Sequence, residues 1–151
     1  MIVVSDASPL LALAQADSLH LLEVLFGRIL IPTAVYRETV EQCPVPAQRQ
    51  RIQSAVDDFI SVSTTESAYR FSRNLGSGEQ GVLALALERG ADLLLMDDKK
   101  ARNEANDLGF PCAYTTDVLR LAEERRIIVS AGEIVERLHG ARIHLPFGSR
   151  N

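Results

Sequence analysis

The chain has little of what most readily betrays a chemistry. Its two cysteines, Cys43 and Cys112, are too few and too far apart for a zinc site or a disulfide framework. That usage fits a reducing cytoplasm. Three histidines, His20, His139 and His144, show no ligand spacing, no HExxH and no pairing with a nucleophile, so they read as surface or core residues. No Ser-His-Asp or Cys-His arrangement is evident. Positive charge is in deficit: sixteen Lys plus Arg stand against twenty Asp plus Glu, a net charge of −4. This argues against gripping a polyanion by bulk charge, but leaves carboxylates free to serve cations. No early segment reaches the roughly 18 apolar residues of a membrane span, and the start MIVVSDASPL lacks a basic signal-peptide head. Repeats and low-complexity tracts are absent.

What is present suits one globular domain over residues 1–151, with a helix at about 130–140 and the tail at its periphery. Hydrophobic residues at 46% and charged ones at 24% are ordinary for such a domain. The organising stretch is DLLLMDDKKAR, Asp92 to Arg102. Leu93, Leu94, Leu95 and Met96 form a short apolar run suited to a parallel strand covered on both faces. Asp97 and Asp98 follow at once, and Lys99, Lys100 and Arg102 open a helical pattern. The carboxyl ends of strands in open α/β sheets face the ligand crevice, so both acids are expected at its rim. A cap for the next helix would need only one of them.

Other acids fall in similar places. Ile2, Val3 and Val4 predict a strand with Asp6 just past it, and Ser8-Pro9 looks like an N-cap followed by proline at N1. Two leucine-rich helices over 10–16 and 19–26 carry more leucine than one buried stripe needs, which suggests a dense core or a self-association surface. After a strand at 28–31, Pro32 opens a helix to about Glu41. Spacing from Ile31 and Val35 puts Glu38 on its apolar side, where a carboxylate needs a partner or a metal, while Glu41 faces solvent. A helix over 48–59, with Arg49 and Arg51 toward solvent, leads to an edge strand at 60–62. Residues 64–75 read as a loop with one helical turn, and its Arg70 and Arg73 as solvated or phosphate-facing. Ser77 and Gln80 form a capping-box pattern. Glu79 extends the stripe of Val82, Leu83, Ala86 and Leu87 into the first turn. Beyond Arg102, the pattern gives a helix to Leu108, a last parallel strand at 111–114, and a helix capped by Thr115 or Thr116. Asp117 is a first-turn acid and a spare candidate.

Gly76, Gly78 and Gly81 spell G-x-G-x-x-G, with Asp98 twenty residues past Gly78. A dinucleotide fingerprint requires a buried strand before the first glycine, and YRFSRNL is not one.

Asp6, Glu38, Glu79 and Asp97 with Asp98 thus arise from four separate segments. If they meet, their like charges raise at least one pKa, and a hard divalent cation relieves the repulsion. Oxygen-only ligands point to Mg²⁺ or Mn²⁺, and such a cluster suits phosphodiester hydrolysis.

IVVSDASPLLAL, IPTAVYRETV, GEQGVLALALERGADLLLMDD and the following KKAR resemble the PIN-domain family of metal-dependent ribonucleases, which includes VapC-type toxins. The resemblance implies a three-layer α/β/α sandwich around a parallel sheet. It maps the acidic quartet onto Asp6, Glu38, Glu79 and Asp97, with Asp98 adjacent and Ser8 as the small hydroxyl near the first Asp. Typical members carry aspartate where this chain has Glu79, whose longer side chain is expected to reach metal through water. The reading is an endoribonuclease using Mg²⁺ or Mn²⁺. Asp6 and Asp97, then Glu79, are the metal candidates, with Glu38 and Asp98 completing the site. Ser8, Lys99 and Arg102, with Lys100 beside them, are expected near RNA. The resemblance alone implies a toxin with a cognate antitoxin, and the leucine-rich helices make a homodimer plausible. The alternatives are an aspartate-nucleophile phosphohydrolase, a nucleotide-binding module built on the glycines, and a PIN-like protein that binds RNA without cutting it.

Overall fold

A computed structural model describes residues 1–146. Its apolar runs become the strands β1 (Val3–Ser5), β2 (Ile29–Pro32), β3 (Ile60–Ser63), β4 (Leu93–Leu95) and β5 (Cys112–Ala113). They form one parallel sheet in the order β3-β2-β1-β4-β5. Val3 pairs with both Ile29 and Leu93, so β1 is central. Runs such as Val3-Val4 and Leu94-Leu95 are wholly buried because helices cover both faces. The expected α/β sandwich is the observed fold.

The helices are α1 (Ala7–Gln15), α2 (His20–Phe26), α3 (Thr33–Tyr36), α4 (Pro46–Val56), α5 (Ser77–Arg89), α6 (Lys99–Asp107), α7 (Thr115–Glu124) and α8 (Ala131–Gly140). The chain builds β1, β2 and β3 toward one edge, then returns to place β4 and β5 on the other side of β1. Right-handed crossovers in opposite directions put α5 and α6 on the face opposite α1, α2 and α4. The seam between β1 and β4 is therefore the topological switch point, where open α/β sheets form their crevice. No single helix among the described residues is long and apolar enough to cross a membrane.

The leucine excess is mostly core: Leu10, Leu13, Leu21 and Leu22 are fully buried. Burying each contributes roughly 1.5–3 kcal/mol. Val24 of α2 remains 57% exposed.

Several local expectations are corrected. The N-cap of α1 is Asp6, not Ser8; its Oδ1 accepts from Ala7 N–H at 2.9 Å. Pro32 ends β2, and the helix after it changes from α to a π turn over Arg37–Glu41. Thr39 Oγ1 donates to the Val35 carbonyl at 2.8 Å within that turn. The box at the start of α5 pairs Gly76 with Glu79, whose Oε1 accepts from Gly76 N–H at 3.0 Å; Gln80 instead donates to the Leu75 carbonyl. Arg49 and Arg51 do not point freely to solvent, for they donate to the carbonyls of Cys43 and Ala14. The stretch over 64–76 holds no helical turn.

A carboxylate cluster at the switch point as the candidate active site

Two acids leave adjacent strands side by side. Ser5 of β1 is in register with Leu95 of β4, and Asp6 N–H donates to the Leu95 carbonyl at 2.9 Å. Asp6 and Asp97 thus stand just past the carboxyl ends of β1 and β4, on either side of the switch point. Asp6 is 3% exposed. Glu38 reaches it from the π turn, a helix irregularity often found at functional sites. Glu79 reaches it from the first turn of α5 and shares a hydrogen bond with it.

The electrostatics follow from this crowding. Burial first, then the charge of Glu79, raise the Asp6 pKa to about 8; the Ala7 N–H opposes the rise, and Glu38 adds to it. Glu38 is likewise pushed up, by burial and by Glu79. Asp6 therefore keeps its proton at neutral pH. The close approach depends on Gly78: a Cβ there would collide with Glu38 Oε1 and lie 3.4 Å from Asp6 Oδ1. At Gly81 a Cβ would press on Pro32 at 3.0 Å. The glycines that imitate a nucleotide fingerprint instead let α5 approach the acids and β2. A loop, not a strand, precedes them.

The remaining candidates lie elsewhere around the seam. Asp97 is half-buried and accepts from Thr115 N–H at 2.9 Å and Thr115 Oγ1 at 2.7 Å. Its pKa is raised by burial; both Thr115 bonds and Arg102 pull it down, and Asp117 pushes it up. Its charged neighbours are Arg102 and Asp117, whereas Asp6 answers to Glu79 and Glu38. Asp98 caps α6, accepting from Ala101 N–H at 2.9 Å. Asp117 accepts from Tyr114 N–H and pairs with Arg120. Ser8 is exposed in the first turn of α1, and Lys99 and Lys100 are exposed at the start of α6. Arg102 is held inward: it donates to the Met96 carbonyl at 3.1 Å and lies 3.5 Å over the Tyr114 ring.

The expected cap of α7, Thr115 or Thr116, is instead Tyr114, and the grip of Thr115 on Asp97 went unread. So did Gly78, which only its place among three acids makes meaningful. His139 and His144, read as surface or core residues without ligand spacing, meet with Nδ1 atoms 2.9 Å apart.

The sequence profile of the PIN domain matches residues 2–148. The chain belongs to the PIN-domain family. The PIN fold also appears in its structural neighbours. A PilT N-terminus domain protein from the hyperthermophilic archaeon Sulfolobus solfataricus superposes with a TM-score of 0.56 at 21% identity, covering 81% of this chain and 93% of its own. The PIN domain endonuclease Utp24 gives 0.53 at 14% identity, covering 74% and 83%. At such identities these two speak to fold. A comparison with curated protein sequences gives no match.

PIN-domain nucleases generally use divalent metals. By donor chemistry the cluster fits a hard cation: three carboxylates, no sulfur, no imidazole, with Asp6 and Glu38 raised in pKa by burial and then by neighbouring acids. As arranged, no group of three or more His, Cys, Asp or Glu among the described residues stands in ligating geometry. Glu79 is engaged with Gly76 N–H and Asp6, so these bonds must yield before its carboxylate can serve as a ligand.

Proposed function

We propose that this PIN domain, spanning the whole chain, is an endoribonuclease dependent on Mg²⁺ or Mn²⁺. The observation that carries the reading is the convergence of Asp6, Glu38 and Glu79 at the switch point, with Asp6 holding a proton up to about pH 8. A carboxylate kept neutral by burial and by acidic neighbours is costly for a scaffold and useful to a cation site. Asp6, Glu38 and Glu79 would hold the cation, with Asp97 contributing from the far side of the seam. A cation bound there would supply Lewis acidity for water activation and for charge on the departing oxygen. Asp6 would give up its proton to take the cation, and Thr115 fixes the direction of the Asp97 carboxylate. Asp98 acts through the start of α6, setting where Lys99 meets the RNA backbone. Ser8 and Arg102 complete the rim.

The test is cleavage of single-stranded RNA by purified protein with Mn²⁺, stopped by EDTA and by Asp6→Asn. Wild-type cleavage that persists in EDTA removes the mechanism.

Family resemblance extends the proposal to a toxin held by a cognate antitoxin in the cytoplasm. Val24, exposed on α2, supports homodimerisation through that helix. Growth arrest on expression, absent in Asp6→Asn, tests the first extension. Light scattering of wild type against Val24→Lys tests the second.

A further inference from the structure

Residues 64–76 cross from β3 to α5 without regular structure, and loops of such length inside a compact domain usually carry function. This one is pinned by a buried carboxylate, Glu104 of α6, which is 3% exposed. Glu104 accepts from Ser72 N–H and Oγ, from Arg73 N–H, and from the Arg73 guanidinium at 2.8 Å. Arg73 is further tied to Asp107. Lys100 Nζ donates to the Asn74 carbonyl at 2.9 Å, joining the loop to the start of α6.

The pinned segment carries Tyr69 and Phe71, both half-buried and Phe71 packed against the core, with ring centroids 6.4 Å apart and planes 29° from parallel. Arg70 between them is exposed and forms no ion pair among the described residues. These three, with Asn74, Leu75 and Gln80, line an open depression of about 450 Å³. That is a common size for a small-molecule site, ~300–1,000 Å³. Gln80 on its wall is the α5 residue after Glu79, whose carboxylate accepts from Gly76 N–H, so depression and acids share the first turn of α5. Aromatic rings beside cations, set next to a phosphodiester site, match what single-stranded nucleic acid requires.

We propose that this depression is a subsite for one unpaired base of single-stranded RNA, stacked on Tyr69 and Phe71, with its phosphate held by Arg70 and Lys100. The proposal rests on the endoribonuclease reading for its substrate class and adds a strand requirement. A paired base inside a helix has no open face to offer, so duplex RNA is excluded from the subsite. It also gives the net-negative chain a local cationic, aromatic hold on RNA.

Binding is measured in the Asp6→Asn background, which separates it from turnover, with a five-nucleotide single-stranded RNA carrying a central 2-aminopurine. The expected result is quenched 2-aminopurine emission on binding. Adding Tyr69→Ala abolishes the quenching and weakens affinity about tenfold. Tyr69→Phe keeps both, since the ring is retained. Arg70→Ala weakens binding and lowers the salt slope by about 0.7. Equal affinity in Tyr69→Ala, or equal loss for duplex RNA, overturns the proposal. So does unchanged emission on wild-type-like binding, as a loop built for a protein segment would give. If wild type cuts nothing yet ring-dependent quenching is seen, the subsite stands and the nuclease reading falls. If wild type cuts RNA and Tyr69→Ala binds as tightly, only the subsite falls.

Discussion

Asp6 and Glu104 are equally buried, each 3% exposed, yet the protein drives them in opposite directions. The Asp6 pKa rises to about 8 because burial comes first and the acids Glu79 and Glu38 add to it. Burial also works against the charge on Glu104, but the Ser72 hydroxyl, the Arg73 guanidinium and both backbone N–H groups outweigh it and lower the pKa to about 2. Burial alone therefore does not tell a site from a scaffold. What distinguishes them is whether the carboxylate has been given donors or left facing more acids. Glu104 is a completed structural anchor. Asp6 is left facing acids, which on the proposed function is where a cation would bind.

The same isosteric change at both positions breaks the comparison most sharply. Asp6→Asn should lower RNA cleavage by about a thousandfold or more, the scale expected when a site loses its charge-stabilising group. Glu104→Gln should leave kcat largely intact and act through KM, because it loosens the loop and not the acids. Single-turnover and steady-state kinetics separate the two.

Stability should move with opposite signs. For Asp6 the folded pKa lies above the ordinary 3.8, so its contribution is full below about pH 4 and is lost as pH rises toward 8. In EDTA at pH 8, Asp6→Asn should therefore stabilise the protein by roughly 2 kcal/mol, since Asn still caps α1 and carries no charge. For Glu104 the folded pKa lies below the ordinary 4.5, so its contribution is present above that value and fades as pH falls toward 2. Glu104→Gln should lower the melting temperature at pH 7 and speed amide exchange over 66–75, with the deficit shrinking in acid. Urea melts across pH check both signs.

Metal should sharpen the contrast further. Mn²⁺ is expected to raise the melting temperature of the wild type more at pH 8 than at pH 6, because the Asp6 proton must leave first. Calorimetry in two buffers of different ionisation enthalpy should show close to one proton released near pH 7. Asp6→Asn should release none.

Smaller effects probe the positioning groups. Gly78→Ala should reduce cleavage about tenfold by forcing Glu38 aside, although alanine favours helix by about 1 kcal/mol. Thr115→Val removes one donor from Asp97 and should cost a few-fold in kcat, with the acid limb of the pH profile moving upward.

The acids were legible because each sits against a strong local pattern. Asp6 follows a buried run, Glu38 takes the apolar side of a helix, and Glu79 extends the buried stripe of α5. Their partners were less legible. Thr115 lies 18 residues from Asp97, and Arg73 lies 31 from Glu104, separations across which periodicity carries no information. Caps were misassigned by one or two residues at α1 and α5, since Asp6 and Glu79 satisfy backbone groups while also facing each other.

By itself the sequence determined the strand runs, the helices between them and the delivery of Asp6 and Asp97 to strand ends, because these follow from side-chain period and turn chemistry within a few residues. Only the tertiary structure decided that Asp6, Glu38 and Glu79 share one proton-holding cluster while Asp97 turns to Thr115 and Asp98 to its own helix. Strand order and close approach at Gly78 set those distances, and the electrostatics of a buried charge depend on distance in space, not on distance along the chain.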